Sequence, residues 1–253
     1  MKKIAVITGA SSGIGRRFAE TIAQYGQSFD EVWLIARHPE ALALLYPVKT
    51  VALDLSARES YAAYAALLAE EKPEIALLVN CAGYGKFCAT TDLPLAQNLN
   101  MMDLNCGAVM AMCQESAPYM KPGARIINIA SIAAYQPIPY INVYAATKAF
   151  VMYYSRALNR ELKKRGITVT AVCPYWTKTK FFDRAVQKDE PRVVKKYVAM
   201  YTPEQIVSRA WRDAKRGRDV SKFGFIARGQ MILTKLLPHS LVMSIWMKQQ
   251  ELD

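Results

Sequence analysis

A doubly wound α/β domain on a parallel sheet is the fold class this sequence predicts, and three observations predict it. Short runs rich in Val and Ile alternate with longer segments of helical pattern from the third residue onward. The runs are continuously apolar rather than alternating, as strands buried on both faces are. The first run opens directly into a glycine-rich turn and a helix, through Thr8-Gly9-Ala10-Ser11-Ser12-Gly13-Ile14-Gly15.

In chain order, strands are expected at residues 4–8, 32–36, 50–54, 75–80, 125–130 and 168–173, with a late one at 220–226. Helices are expected at 13–25, in a short piece at 40–45, and at 58–71, 98–120 and 143–165. A further helix opens at Thr202-Pro203-Glu204, where a capping hydroxyl precedes a proline suited to the first helical position. Gly26 and Gly166 follow their helices where a left-handed cap is wanted, and Lys163-Lys164-Arg165 set cations against the helix dipole. No Gly/Ser-rich or Pro-rich linker interrupts the chain, so residues 1–253 read as a single domain. Within it, a substrate lid is expected near 175–218 and a C-terminal extension at 227–253.

Composition excludes several classes. With 52% hydrophobic and 21% charged residues, the chain is neither disordered nor dependent on disulfides for a core. Four apolar residues precede Thr8, too few for an export signal, and Lys235, Pro238 and His239 interrupt the most apolar late stretch, so no spanning helix is expected. Five cysteines without a CxxC pair and two distant histidines argue against a metal site and for reduced thiols, hence a cytoplasmic protein. The formal charge of +12 is unevenly placed: residues 1–155 hold 12 Lys and Arg against 12 Asp and Glu, and residues 156–253 hold 21 against 9. That basic third suits an anionic ligand or surface, or serves only as a solvated face.

The glycine-rich turn carries the first chemical signal. Glycines let backbone pass close to a phosphate, and the helix that follows offers free amides and a positive dipole end. Downstream stand Asn80-Cys81-Ala82-Gly83, Asn105, Ser131 and Tyr144-x-x-x-Lys148. Tyr144 and Lys148 are four apart on an expected helix, so one face presents both. An ammonium beside a phenol favours the phenolate, and Ser131 could hold a reacting oxygen within proton-transfer reach of Tyr144.

In that order and spacing, these motifs resemble the short-chain dehydrogenase/reductase family over residues 8–148. The resemblance implies a single Rossmann-type domain with a sheet of about seven strands. It implies a catalytic set of Asn105, Ser131, Tyr144 and Lys148, with Lys148 also gripping the nicotinamide ribose and Asn105 supporting a proton path. It assigns cofactor contacts to Gly9, Ser11, Ser12, Gly13, Ile14, Gly15, Asn80, Ala82 and Gly83, to Asp54 and Leu55 at the adenine, and to Tyr144 and Lys148. After the sixth strand the family places Pro-Gly and then a threonine for the carboxamide. Here the run is Pro174-Tyr175-Trp176-Thr177-Lys178-Thr179, which keeps Pro174 and Thr179, offers Thr177 nearby, and sets Tyr175 in place of the glycine.

Cofactor choice is read at the end of the second strand, where an acid suits the hydroxyl of NAD and a base the 2′-phosphate of NADP. The run Leu34-Ile35-Ala36-Arg37-His38 has no acid before Glu40, so NADP(H) is preferred over NAD(H), with Arg37 as ligand and His38 as a helper. Tyr84, Phe87, Ile132, Ala133, Pro137, Tyr140, Trp176, Phe181 and Phe182 are expected around the nicotinamide, which favours a hydrophobic or aromatic carbonyl. The reading is an NADP(H)-dependent interconversion of carbonyl and alcohol. The alternative is an NADP(H)-binding redox sensor whose basic third holds a partner or an anionic surface. The resemblance further implies a homodimer or homotetramer, and no nucleic acid is expected as a partner. The segment 231–247 is expected to cover the pocket or meet a subunit rather than lie on a membrane.

Overall fold

The structure, a computed structural model, describes residues 1–39, 42–186 and 193–252. Its sheet is formed by β1 (Lys3–Thr8), β2 (Glu31–Ala36), β3 (Val48–Ala52), β4 (Glu74–Asn80), β5 (Arg125–Ile129), β6 (Thr168–Cys173) and β7 (Val220–Lys222). All pairings are parallel, in the order β3-β2-β1-β4-β5-β6-β7. The helices are α1 (Gly13–Glu20), α2 (Glu59–Glu71), α3 (Leu95–Met102), α4 (Ala108–Ser116), α5 (Asn142–Leu162), α6 (Phe181–Ala185), α7 (Pro203–Lys215), α8 (Phe225–Leu236) and α9 (His239–Gln250).

Strand residues feed two cores by the period of two that a pleat imposes. Ile4 and Val6 pack on one face with Val109, Met112 and Val151, whereas Ala5 and Ile7 pack on the other with Phe18, Ile206 and Trp211. Each run is therefore apolar throughout because both of its faces are covered. The strand order reverses between β1 and β4, and the loops leaving their C-terminal ends part around a crevice, the place where open α/β sheets hold ligands.

Most element boundaries follow the sequence, and the exceptions have local causes. The third strand begins and ends two residues earlier than expected, so Asp54 lies beyond the sheet and is free to turn into the crevice. The first helix stops at Glu20 because Thr21 turns back on it: its hydroxyl donates to the Arg17 carbonyl at 2.7 Å and accepts Trp211 Nε1 at 3.0 Å. The last strand ends at Lys222, since Gly224 adopts φ +92° against the Tyr201 ring and redirects the chain into α8. The helix expected at 98–120 is two helices joined by a π-turn, Asp103–Gly107. Residues 42–45 are not helical, and Glu40 and Ala41 lie outside the described residues.

The lid expected near 175–218 narrows. Within it, α7 is a core helix, opened by a reciprocal cap in which Thr202 and Gln205 each bond the other's backbone, and it buries Ile206, Val207, Ala210 and Trp211. Residues 176–178 are pinned to Tyr201 by backbone bonds of 2.8 and 2.9 Å. Residues 180–186 and 193–200 remain as cover, and 187–192 lie outside the described residues.

Candidate active site

One cavity of about 790 Å³ runs from the ends of β1 and β2, past the start of α5, to the inner faces of α8 and α9. At its first end is the glycine-rich turn. Gly9 sits at φ +66°, and a Cβ there would stand 2.7 Å from the Ala82 amide nitrogen. Thr8 fixes that approach from below, its Oγ1 accepting from the amides of Cys81 at 3.0 Å and Ala82 at 3.1 Å. The two loops that flank the crevice are thus locked together by one hydroxyl. Gly13, at φ +56°, lies under the Thr179 side chain, and Ser11, Ser12 and Ile14 complete the wall.

Arg37 and His38 stand exposed on the same wall, beyond Ile35 and Ala36. Asp54 and Leu55 face them. Burial raises the Asp54 carboxyl, but hydrogen bonds from the Ser56 hydroxyl at 2.7 Å and amide at 3.0 Å, together with the Arg37 charge, outweigh it, so the group stays below the usual carboxylate range.

At mid-cavity, Ser131, Tyr144 and Lys148 meet. Ser131 precedes a 3₁₀ turn, Ile132–Tyr135, and its Oγ accepts from the Ala133 amide at 3.1 Å, which fixes its rotamer. Tyr144 and Lys148 share a face of α5, with Nζ 5.7 Å from the phenol ring centre. The electrostatics differ from the sequence expectation. Burial pushes the Tyr144 phenol up to about 12 against a hydrogen bond from Ser131, and burial pulls Lys148 down to about 8. The ammonium donates instead to the Ile129 carbonyl at 2.8 Å, so desolvation governs the phenol in this state. Half-buried Cys81 and buried Cys173 approach Lys148 as neutral thiols, each pushed up to about 12 by desolvation.

Three residues expected here stand behind the wall. Asn105 is fully buried within the π-turn; its amide donates to the Tyr84 carbonyl at 2.8 Å and to Thr147 Oγ1 at 3.0 Å, and its oxygen accepts the Tyr84 amide at 3.1 Å. It ties the kinked helix to α5. Asn80 pairs in register with Asn128, and its amide donates to the Asn128 side-chain oxygen at 2.9 Å. Gly15 packs under the turn, where a Cβ would collide with the Gly9 carbonyl. Ala82, Gly83, Pro174, Thr177 and Thr179 do line the cavity. Thr177 gives its hydroxyl proton to the Tyr175 carbonyl at 2.7 Å, and Thr179 Oγ1 accepts the Phe181 amide at 3.3 Å. Tyr175 needs no positive φ and is buried with Ile132, Ala227 and Met231, so α8 holds the loop that a glycine would have left free.

The far end is largely apolar, with Asp183, Arg184, Lys196 and Gln230 also among the lining residues. Tyr84, Phe87, Ile132, Ala133, Trp176, Phe181 and Phe182 reach it, but Pro137 and Tyr140 do not. Tyr140, at φ +64°, is spent on turning the chain into α5. Three parts of the site were missed in the sequence, namely Thr8, Gly85 and the pair Ile138 and Ile141, whereas the wall given by Val242, Ile245 and Trp246 falls in the segment 231–247 expected to cover the pocket or meet a subunit. Gly85 had a signal, a glycine two residues after the Asn-x-Ala-Gly run, and a Cβ there would press the Tyr144 ring at 2.8 Å.

Long-range bonds place α9 as cover. Trp246 Nε1 donates to the Pro139 carbonyl at 3.1 Å, and Gln250 Oε1 accepts the amides of Lys195 at 2.8 Å and Lys196 at 3.0 Å. Gln250→Ala strands two partly buried amides, so we expect faster hydrogen exchange at 193–196 and a loss of about 1–3 kcal/mol in the opening free energy of that segment. Unchanged exchange there would refute the clasp.

Comparison with known proteins agrees with this geometry. The short chain dehydrogenase family model matches residues 3–190. The chain belongs to the short-chain dehydrogenase/reductase family. An uncharacterized oxidoreductase of Staphylococcus epidermidis is 31% identical over 180 residues, covering 68% of this chain and 77% of that one. The very-long-chain 3-oxoacyl-CoA reductase-A of Danio rerio is 31% identical over 269 residues, covering 98% and 78%. The solved short-chain dehydrogenase from Sphingobium yanoikuyae in complex with NADPH superposes with a TM-score of 0.74 at 25% identity, covering 94% and 96%. This short-chain dehydrogenase/reductase is thus an oxidoreductase with the seven-stranded sheet of its family.

Proposed function

We propose that the protein is an NADP(H)-dependent oxidoreductase that interconverts a carbonyl and an alcohol on a hydrophobic substrate. The observation that carries this reading is the order of groups along one cavity: glycine turn and Arg37, then Ser131, Tyr144 and Lys148, then apolar wall. The residues fit a dinucleotide, since Gly9 and Gly13 at positive φ let the turn lie close along the cavity wall where side chains would clash with Ala82 and Thr179, and Arg37 offers a cation where a 2′-phosphate would lie. When bound, the nicotinamide supplies or accepts the hydride.

Tyr144 then holds the proton. With its phenol pushed up to about 12 it is protonated at neutral pH, which suits donation to a carbonyl oxygen, and Ser131 donates a second hydrogen bond to that oxygen. Lys148, beside Gly83 and the π-turn, serves the ribose, Thr177 and Thr179 flank the carboxamide side, and Asn105 acts as a positioning residue through Tyr84 and Thr147. The apolar end, with Ile138, Ile141, Val242 and Trp246, supports a hydrophobic or aromatic substrate, and the acyl reductase relative makes acyl thioesters worth including. Exposed Leu99, Met102, Met110, Phe150 and Tyr153 on α3, α4 and α5 support a homodimer or homotetramer, and five free thiols suit a reducing cytoplasm.

The test is loss of NADPH absorbance across aromatic, aliphatic, steroid and acyl-thioester carbonyls. Turnover on an apolar member supports the reading; bound NADPH with a flat panel would favour the redox-sensing scaffold. The Lys148 ammonium is expected to lose its proton as pH rises through about 8, and a cation lost from the site weakens its hold on an anion. NADPH affinity should therefore decline above about pH 8 in the wild type. A titration series in which Lys148→Met shows the same decline would remove Lys148 from that role.

A further inference from the structure

The two C-terminal helices carry more apolar surface than the cavity uses. Side chains on α8 fall into four bands at ~100° per residue. Ala227, Met231 and Thr234 are buried against the domain, and Ile226, Gln230 and Leu233 face the cavity. Arg228 and Lys235, seven residues apart, form a cationic band. Phe225, Ile232 and Leu236 form the fourth band, between the cationic and cavity bands, and they are 89%, 55% and 76% exposed. Leu241 and Ile245 on α9 are also exposed, with Lys248 on their helix face.

Isolated exposed leucines are ordinary, but three large apolar side chains on one face of one helix need an occupant. Charge decides which. Residues 220–250 contain four Lys and Arg and no Asp or Glu. A second copy packed by two-fold symmetry would set Arg228 and Lys235 of both copies around one patch, with no carboxylate from residues 220–250 to pair them. An anionic bilayer meets both needs, with acyl chains for the apolar band and headgroups for the cations. Among the described residues no helix is long and apolar enough to cross a membrane, so the contact would be with its surface.

We propose that the exposed apolar band of α8, edged by Arg228 and Lys235, is a docking surface for an anionic lipid bilayer. It complements the pocket-covering role expected for this segment, because the two roles fall on different faces of the helix. Docking sets the cavity band of α8 beside the membrane, so an apolar substrate would pass from lipid along Leu233 and Ile226. That passage rests on the hydrophobic-substrate reading above; the docking itself does not.

The test is cosedimentation of the full-length protein with vesicles of phosphatidylcholine alone or with about a third phosphatidylserine. The expected result is binding to the anionic vesicles only, weakened when salt screens the charges. The double variants Ile232→Asp/Leu236→Asp and Arg228→Glu/Lys235→Glu should each bind at least about tenfold more weakly, with thermal midpoint and NADPH affinity kept, since none of these side chains lines the cavity. Wild-type protein that stays in the supernatant with anionic vesicles, or variants that bind as it does, would overturn the proposal. So would light scattering in which the apolar pair turns a larger assembly into a smaller one without vesicle binding, which would give the band to a second copy.

Discussion

Tyr144→Phe is expected to lower the proposed carbonyl turnover by a factor of about 10²–10⁴, the usual contribution of a positioned proton donor. The change removes one oxygen and leaves a ring that packs between Phe87 and Phe181, at centroid distances of 6.3 and 5.4 Å. Because the ring stays, Lys148 and the glycine turn should keep their places and NADPH should bind within about twofold of wild type, far below the tenfold step of 1.4 kcal/mol. Single-turnover kinetics beside a binding titration separate the two. Loss of both together would mean that Tyr144 holds the site's shape and not its proton. Ser131→Ala should cost less, since it takes away a hydrogen bond to the reacting oxygen but leaves the donor. The raised phenol adds a direction: reduction, which consumes the phenolic proton, should stay flat with pH in this group up to about 12, whereas oxidation, which needs the phenolate, should rise with pH.

How much of this could be read in the sequence depends on the distance over which each feature is decided. The glycine turn, the strand before it and the pair Tyr144 and Lys148 are fixed by neighbours within a few residues, and the structure brings them to one cavity. Asn105 was legible as a motif residue but not as a buried clamp, because the π-turn that turns it inward depends on bonds to Tyr84 and Thr147, 21 and 42 residues away. The start of α8 was hidden because Val220 to Ile226, with its Val, Phe and Ile, reads as one late strand. Only the tertiary contact of Gly224 with Tyr201 divides it.

The distal wall was less legible still. Trp246 finds Pro139 across 107 residues, and Gln250 finds Lys195 across 55. The segment carries apolar residues on more than one side, so its pattern leaves open whether it covers the pocket or meets a subunit. Burial also reversed one electrostatic expectation. A spacing of four along one helix face brings Lys148 near Tyr144, but only the surrounding atoms decide whether attraction or desolvation wins, and here desolvation does.

Arg37→Glu should weaken NADPH binding by about 10- to 100-fold, because a charge-assisted bond to phosphate is worth roughly 1.5–3 kcal/mol and the new carboxylate repels what the guanidinium attracted. NADH should lose little, and a second effect in the same place favours it. Asp54 is held low partly by the Arg37 charge, and its carboxylate also accepts two bonds from Ser56. Without Arg37, the new carboxylate at the end of β2 and Asp54 beyond the end of β3 together resemble the arrangement that accepts a ribose hydroxyl. Titration of both cofactors against wild type, Arg37→Glu and Arg37→Ala separates the contributions: the alanine variant reports the lost cation, and the glutamate variant adds repulsion. If NADPH and NADH weaken equally in both, Arg37 acts on a feature the cofactors share, such as the pyrophosphate. The preference for NADP(H) would then have to rest on His38 or be abandoned.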